Sequence, residues 1–246
     1  MKTTDTTKSG TDYTLYGDLQ YLPYGGEYQS LDLYIPEAGA PAKGWPLVIY
    51  AHGGAFKMGD KASAGPSLDY ALMALDHGFA MASVNYRLFD MDQVEPEIED
   101  VWASLRWLAF NADSFGLDRT SFAFLGASAG AALTASVAAR VSMGAGPWVA
   151  AVISISGAFQ VTKTAEDLHP EAPPFYIAHG TEDSAVRFGV AEDFCRALKE
   201  QGVPYEFVAV EGADHCRADD DPHIYQVLDE TGKLNDAYLW LREILR

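Results

Sequence analysis

The chain has 246 residues, 48% of them hydrophobic and 21% charged, which suits a folded globular protein large enough for one α/β domain. Its formal net charge is −18, which disfavours nucleic acid and anionic membrane surfaces as partners because clustered lysine and arginine side chains bind both. No run approaches the ~18 apolar residues of a membrane span, and the N-terminus lacks the apolar centre of a signal peptide, so we expect a cytoplasmic protein.

The first half of the chain alternates short apolar runs with amphipathic segments. Residues 1–12 are mostly polar and are predicted to be flexible. Strands are predicted over 13–22 and 28–35, the second alternating apolar Leu31, Leu33 and Ile35 with polar residues, as in an antiparallel strand with one face in water. The apolar run 46–51 predicts a strand covered on both faces, and a helix over 66–76, a strand over 79–85 and a helix over 94–111 follow.

The second half repeats this alternation. An apolar run ending at Gly126 predicts a strand, and a helix of small residues extends to about Val141. Further strands are predicted over 149–155, 174–178 and 205–210, with helices over 190–201 and 235–245. Alternating β and α units with short links predict a mostly parallel central sheet with helices on both faces. Residues 13–246 contain no internal repeat or linker, so we expect a single domain there.

The sequence Gly126-Ala-Ser128-Ala-Gly130 lies where a strand meets a helix. A sharp turn at this point needs small flanking residues, and the two glycines let the strand and helix backbones approach each other. The turn exposes the Ser128 hydroxyl above a helix N-terminus, which favours developing negative charge. We therefore interpret Ser128 as a candidate nucleophile.

A serine hydroxyl needs an imidazole as its base and a carboxylate to hold that imidazole. In open parallel sheets such groups meet beyond the carboxyl ends of the strands. Among the six histidines, His215 follows the last strand directly, and Asp183 follows the strand before it, in the order serine, aspartate, histidine. These two residues are the predicted base and acid.

Neighbouring groups fit these roles less well. Glu182 is expected to be aimed differently from Asp183, as a solvated loop carboxylate. Asp214 adjoins His215 in sequence, so the side chains of these two residues should point apart. His179 ends a strand just before Asp183 and is expected to orient that loop. Three further histidines have no such position: His77 ends a helix, His169 lies in a proline-rich loop and His223 follows an acidic run that we expect to be solvated.

Two glycines after the strand 46–51 suggest a second component of the site. At Gly53 and Gly54 the missing side chains would let backbone N–H groups converge on the charge that forms when a carbonyl is attacked. The predicted donors of this oxyanion hole are the N–H groups of Gly54, Ala55 and Ala129.

We expect no metal and no other cofactor. The acidic run 219–221 near His215 and His223 lacks a recognisable ligand spacing and is interpreted as a solvated loop. The two cysteines, Cys195 and Cys216, are either reduced thiols or one bridge between a helix and the loop of His215.

The chain resembles α/β-hydrolase-fold serine esterases with an HGG-type oxyanion motif, a branch that includes hormone-sensitive-lipase-like enzymes and small carbohydrate-ester esterases. The resemblance rests on YAHGGAF at 50–56, SVNYRL at 83–88, GASAG at 126–130, HGTED at 179–183 and GADH at 212–215. It implies that Ser128, Asp183 and His215 form a catalytic triad and that Gly54, Ala55 and Ala129 are the oxyanion donors. Ala55 replaces the third glycine of the usual motif. The segment between the strands ending at 155 and beginning at 174 is short, which predicts little or no cap and an open site.

These features predict a serine carboxylesterase that acts on small or short-acyl esters, such as acetyl or feruloyl esters of plant carbohydrates. One alternative is a peptidase or amidase related to prolyl oligopeptidases, although the sequence has no propeller domain of the kind those enzymes carry. Another alternative is a non-catalytic binding module on the same fold. Reaction with a fluorophosphonate separates an enzyme from a binding module.

Overall fold

The computed structural model describes residues 1–63, 66–89, 94–141, 149–216 and 222–245. The strands in these ranges form one nine-stranded sheet in the order β1-β2-β3-β5-β4-β6-β7-β8-β9. From β5 to β9 across the sheet all neighbours are parallel, whereas β1, β2 and β3 form an antiparallel edge. The strands are β1 Lys2–Thr6, β2 Asp12–Gln20, β3 Ser30–Pro36, β4 Trp45–Ala51, β5 Ala80–Val84, β6 Leu117–Ala127, β7 Ala151–Ile155, β8 Phe175–Gly180 and β9 Tyr205–Val210.

Helices cover both faces of the sheet. They are α1 Pro66–Asp76, α2 Glu95–Asn111, α3 Ala129–Val141, α4 Phe159–Thr162, α5 Phe188–Gln201, α6 Ile224–Glu230 and α7 Lys233–Ile244. Alternate residues of β4 enter two separate cores: Leu47 and Ile49 pack with α2, α3 and α5, and Val48 and Tyr50 pack with α1, α6 and α7. A central strand buried on both faces explains its continuous apolar run. The predicted α/β-hydrolase fold with a mostly parallel sheet is therefore confirmed.

The antiparallel edge differs from the prediction in two ways. Residues 2–6, expected to be flexible, form strand β1, which pairs with β2 from Lys2–Tyr16 to Thr6–Asp12. β3 was predicted to have a wet face, but its Asp32 and Tyr34 are each only 5% exposed. Tyr34 packs in the core that includes α1, and the Asp32 carboxylate is 2.9 Å from Nζ of the buried Lys61, so a packed ring and an ion pair replace water on this face.

The sequence missed the shortest elements. α4 has four residues and α6 has seven, and 3-10 turns at 27–29 and 112–115 were also not predicted. Helical periodicity cannot be recognised over so few positions. The acidic run 219–221 lies outside the described residues. Within the described part of the chain, no helix is both long and apolar enough to cross a membrane.

Candidate active site

Ser128 forms the turn between β6 and α3. Its φ of 52° is in the left-handed region that residues other than glycine rarely adopt. Backbone hydrogen bonds hold it there: the Ser128 N–H donates to the carbonyl of Ile155 at 2.9 Å, and its carbonyl accepts from Ala132 and Ala158 at 3.2 and 3.3 Å. The strained turn lifts a half-buried hydroxyl out of the strand.

The two glycines of the turn allow close backbone contacts. A Cβ added to Gly126 would lie 2.4 Å from Cα of Ala131, at the start of α3. A Cβ added to Gly130 would lie 2.1 Å from the carbonyl oxygen of Ala51, the last residue of β4. Such distances are far inside van der Waals contact, so only glycine allows the helix to start so close to the two strands.

The structure brings the predicted base and acid to Ser128. Nε2 of His215 is 2.8 Å from the Ser128 Oγ, and Nδ1 of His215 is 2.7 Å from Oδ2 of Asp183. His215 lies in the loop after β9, and Asp183 lies in the loop after β8. Three residues far apart in sequence thus form one chain of hydrogen bonds at the carboxyl edge of the sheet, where parallel sheets usually bind ligands.

Asp183 is held from several sides. Its Oδ1 accepts from the N–H groups of Ala185 and Val186 at 3.0 and 2.7 Å, and Nε2 of the fully buried His179 lies 3.2 Å from its Oδ2. Burial alone would raise the pKa of this carboxyl, but hydrogen bonds from His179, His215 and Val186 lower it below its usual range. Asp183 is therefore ionised at neutral pH.

The electrostatics of His215 follow from this carboxylate. Burial alone would lower the pKa of His215, but the hydrogen bond to Asp183 and the neighbouring Cys216 raise it above the ordinary 6.5. The ionised Asp183 therefore fixes the ring, because it accepts the Nδ1 hydrogen, and it also stabilises the protonated ring.

Asp214 and His223 have structural contacts. Asp214 accepts from the Ser184 N–H at 2.8 Å and so ties the acid loop to the base loop. His223, expected to be solvated, is only 6% exposed. Its Nδ1 accepts from the Tyr225 N–H at 3.2 Å, which caps α6.

The loop after β4 lies against the serine. A Cβ added to Gly53 would be 3.2 Å from Cβ of Ser128. Gly54 and Ala55 have φ values of 128° and 53°, and in the described part of the chain their N–H groups have no hydrogen-bond acceptor. The Gly54 carbonyl accepts from Lys57 and Met58, both at 3.0 Å. The loop is therefore held in a conformation that leaves two donors open.

Tyr86 supports this loop, a role that the sequence did not reveal. Its hydroxyl donates to the His52 carbonyl at 2.6 Å, and its ring stacks on the His52 ring with centroids 4.4 Å apart. Tyr86 belongs to the SVNYRL stretch quoted above, but its contact with His52, the residue before the two glycines, follows only from the fold. The only feature of the sequence that pointed to a supported loop was the position of His52 directly before two glycines.

A cavity of about 610 Å³ opens over the serine and the base. Its walls combine apolar and polar side chains, and it is lined by Tyr50, His52, Gly53, Gly54, Ala55, Phe56, Met58, Gly59, Asp60, Ser63, Ser67, Leu68, Ser128, Ala129, Ala158, Gln160, Val161, Ala185, Val186, His215 and Cys216. All three predicted oxyanion donors line this cavity.

Cys216 lines the cavity as a free thiol, and Cys195 is also free, so the structure contains no bridge between them. Among the described residues, no group of three or more histidine, cysteine or acidic side chains could hold a metal ion.

The fold and this site define an α/β-hydrolase. The sequence profile named BD-FAE matches residues 31–146, and that of the prolyl oligopeptidase family matches residues 154–236. The resemblance to α/β-hydrolase serine esterases is thereby confirmed.

Known proteins of this kind are similar over most of the chain. Esterase LipC of Mycobacterium tuberculosis is 28% identical over 71% of this chain and 54% of its own length. The probable isoprenylcysteine alpha-carbonyl methylesterase ICME of Oryza sativa subsp. japonica is 25% identical over 80% of this chain and 58% of its own length. The chain thus spans about half the length of these curated relatives. The structure of a truncated carbohydrate esterase from gut microbiota superposes with a TM-score of 0.78 at 18% identity, over 97% of this chain and 99% of that one, which supports the same fold.

Proposed function

We propose that the chain is a serine carboxylesterase that works through an acyl-enzyme. The observation that carries the proposal is the continuous chain of two hydrogen bonds, 2.7 and 2.8 Å long, from Asp183 through His215 to Ser128. This chain lies beside an accessible cavity. A serine next to a base that is itself oriented by a third group is the arrangement that nucleophilic catalysis needs. The similarity to esterase LipC over 71% of this chain supports the same activity.

The reaction follows from this geometry. Ser128 Oγ attacks the ester carbonyl carbon while Nε2 of His215 takes its proton, and Asp183 stabilises the charged ring. The N–H groups of Gly54, Ala55 and Ala129 donate to the oxyanion, and one such donor contributes on the order of 10²–10³ in rate. The C–O bond then breaks, and the alcohol leaves with the proton from His215. Water repeats the two steps on the acyl-enzyme and releases the acid.

Small, short-acyl esters are the proposed substrates, among them acetyl or feruloyl esters of plant carbohydrates. The cavity has hydroxyl and amide side chains at Ser63, Ser67 and Gln160 beside the apolar Leu68 and Val161, which suits a polar alcohol next to a small acyl group. The similarity in fold to a carbohydrate esterase supports this substrate class. We also propose that the sheet from β1 to β9 and its helices act as one domain, and that the protein is cytoplasmic.

Replacing the nucleophile tests the activity. Ser128→Ala should lower kcat for p-nitrophenyl acetate by about six orders of magnitude, as when a triad serine is removed from a protease. Labelling by a fluorophosphonate should disappear in the same variant. Ser121→Ala, within the strand β6 that leads to Ser128, is the matched control and should retain both. Near-wild-type hydrolysis by Ser128→Ala would exclude this mechanism.

A peptidase or amidase is the second candidate. The match of residues 154–236 to the prolyl oligopeptidase family favours it, because this segment contains Asp183 and His215. Hydrolysis of an aminoacyl anilide faster than the matching ester would replace the esterase proposal by this one. A non-catalytic binding module predicts that wild-type protein does not react with the fluorophosphonate.

A further inference from the structure

His179 is a buried imidazole that the triad mechanism does not use. It is the fifth residue of β8 and has no exposed surface, and it lies four residues before Asp183. Its Nε2 is 2.9 Å from the carbonyl oxygen of Val186 and 3.2 Å from Oδ2 of Asp183. Both neighbours can only accept a hydrogen bond, so Nε2 carries the hydrogen and shares it between them.

The same two neighbours are linked to each other. The Val186 N–H donates to Oδ1 of Asp183 at 2.7 Å, while its carbonyl accepts from His179. One imidazole N–H thus holds both the carboxylate and the peptide unit that binds its other oxygen. The four acceptor positions of Asp183 are all used: two by backbone N–H groups, one by His179 and one by His215.

The other nitrogen of His179 indicates that packing alone does not explain this residue. Nδ1 is buried and has no hydrogen-bond partner among the described residues. A buried polar atom without a partner destabilises a fold, and an apolar side chain of similar size would avoid that cost. What offsets this cost is the contact from Nε2 to the Asp183 carboxylate, the group that orients the proposed base His215.

We propose that His179 is a positioning residue of the active site, which holds the Asp183 carboxylate so that a single lone pair of Oδ2 faces Nδ1 of His215. This inference rests on the esterase mechanism proposed above. The second donor withdraws negative charge from Oδ2, so Asp183 attracts the His215 proton less strongly than it would alone. The base is then aimed at Ser128 and yet releases its proton more readily.

The surroundings leave few other groups that could produce such an effect. Among the described residues, the groups that face Asp183 besides His179 are His215 from the loop after β9 and the N–H groups of Ala185 and Val186 in its own loop. Cys216 lies beside His215. The ring of His179 meets the edge of Phe188 from α5, with centroids 6.1 Å apart. Phe188 therefore offers a control that changes the packing of the ring without removing a donor.

A pair of substitutions tests the role. His179→Leu removes the donor, whereas His179→Gln can present its amide N–H near the position of Nε2. We expect kcat/KM to fall about 10- to 100-fold in the leucine variant, the rate equivalent of one hydrogen bond to a charged group, and to be largely restored in the glutamine variant. The acidic limb of the pH profile should move up by about one pH unit in the leucine variant only. Phe188→Leu should retain the wild-type inflection.

Several results would overturn the inference. One is a folded leucine variant with wild-type kcat/KM and pH profile, and another is an equal loss in both variants with an unmoved inflection. If the leucine variant does not fold, NMR of wild-type protein with ¹⁵N-labelled histidine decides: an unprotonated Nε2 at His179 excludes the bond. An inactive wild-type enzyme would instead refute the esterase proposal, and the NMR result would still report on the contact.

Discussion

At the scale of single residues, the site depends on how the ionised Asp183 changes the proton affinity of His215. The 2.7 Å hydrogen bond between them stabilises the charged ring, and the pKa of His215 is raised above 6.5 as a result. A base acts only after it has lost its proton, so a raised pKa moves the onset of activity to higher pH.

The pH dependence of kcat/KM should show this effect. We expect activity to rise with pH and its acidic limb to have an inflection above pH 6.5, because the free enzyme must lose the His215 proton before it can react. Asp183→Asn should move the inflection to lower pH and lower kcat about 10⁴-fold, as replacement of the triad aspartate by asparagine does in trypsin-family proteases. Asp193→Asn, on the exposed surface of α5, should change neither quantity. An inflection that stays in place in Asp183→Asn would contradict the assigned cause.

At the scale of elements, the position of Ser128 depends on the contact between α3 and the end of β4. Gly130 is the second residue of α3, and the missing Cβ lets the helix touch the carbonyls of Ala51 and His52. β4 continues directly into the glycine loop, so this one contact sets the spacing between the proposed nucleophile and the proposed oxyanion donors. Because both opposing atoms belong to the backbone, a side chain at Gly130 cannot be accommodated by a rotamer change.

Substitution of matched glycines should separate this contact from helix propensity. Gly130→Ala places a Cβ 2.1 Å from the Ala51 oxygen, so we expect the free energy of unfolding to fall by about 3 kcal/mol and ester hydrolysis to fall with it. Gly189 is also the second residue of a helix, and the nearest atom to its added Cβ is 3.9 Å away. Gly189→Ala should raise the free energy of unfolding by up to about 1 kcal/mol. Urea denaturation measures both, and equal effects would refute the steric explanation.

The elements that could be predicted were those with a long local pattern. The predicted helix over 66–76 and the strand over 205–210 match α1 and β9 at both ends, because apolar periodicity and a following glycine or loop mark their limits. β1 was missed because its five exposed residues have no buried face, and its pairing with β2 depends on a turn rather than on a core.

At the scale of the whole molecule, the sheet order explains what sequence could and could not reveal about the site. Ser128, Asp183 and His215 could be chosen because each follows an apolar strand and parallel strands end at one edge. The supporting contacts could not be chosen in this way. The 2.6 Å bond from Tyr86 to the His52 carbonyl and the ion pair of Lys61 with Asp32 join segments whose proximity follows only from the order β3-β5-β4.

The short connection between β7 and β8 should limit the length of the acyl group. Between β7 and β8 the chain forms only the four-residue α4, and polar side chains share the cavity wall with apolar ones. An acyl chain gains about 0.8 kcal/mol per CH₂ only where it is buried, so carbons beyond the cavity add no binding energy. We therefore expect kcat/KM for p-nitrophenyl acetate to exceed that for the palmitate by roughly 10- to 100-fold.

Gln160→Leu should narrow this difference in kcat/KM between the two esters, because it extends the apolar wall of the cavity while the leaving group stays the same. Faster hydrolysis of the palmitate at concentrations below micelle formation would contradict the short-acyl preference.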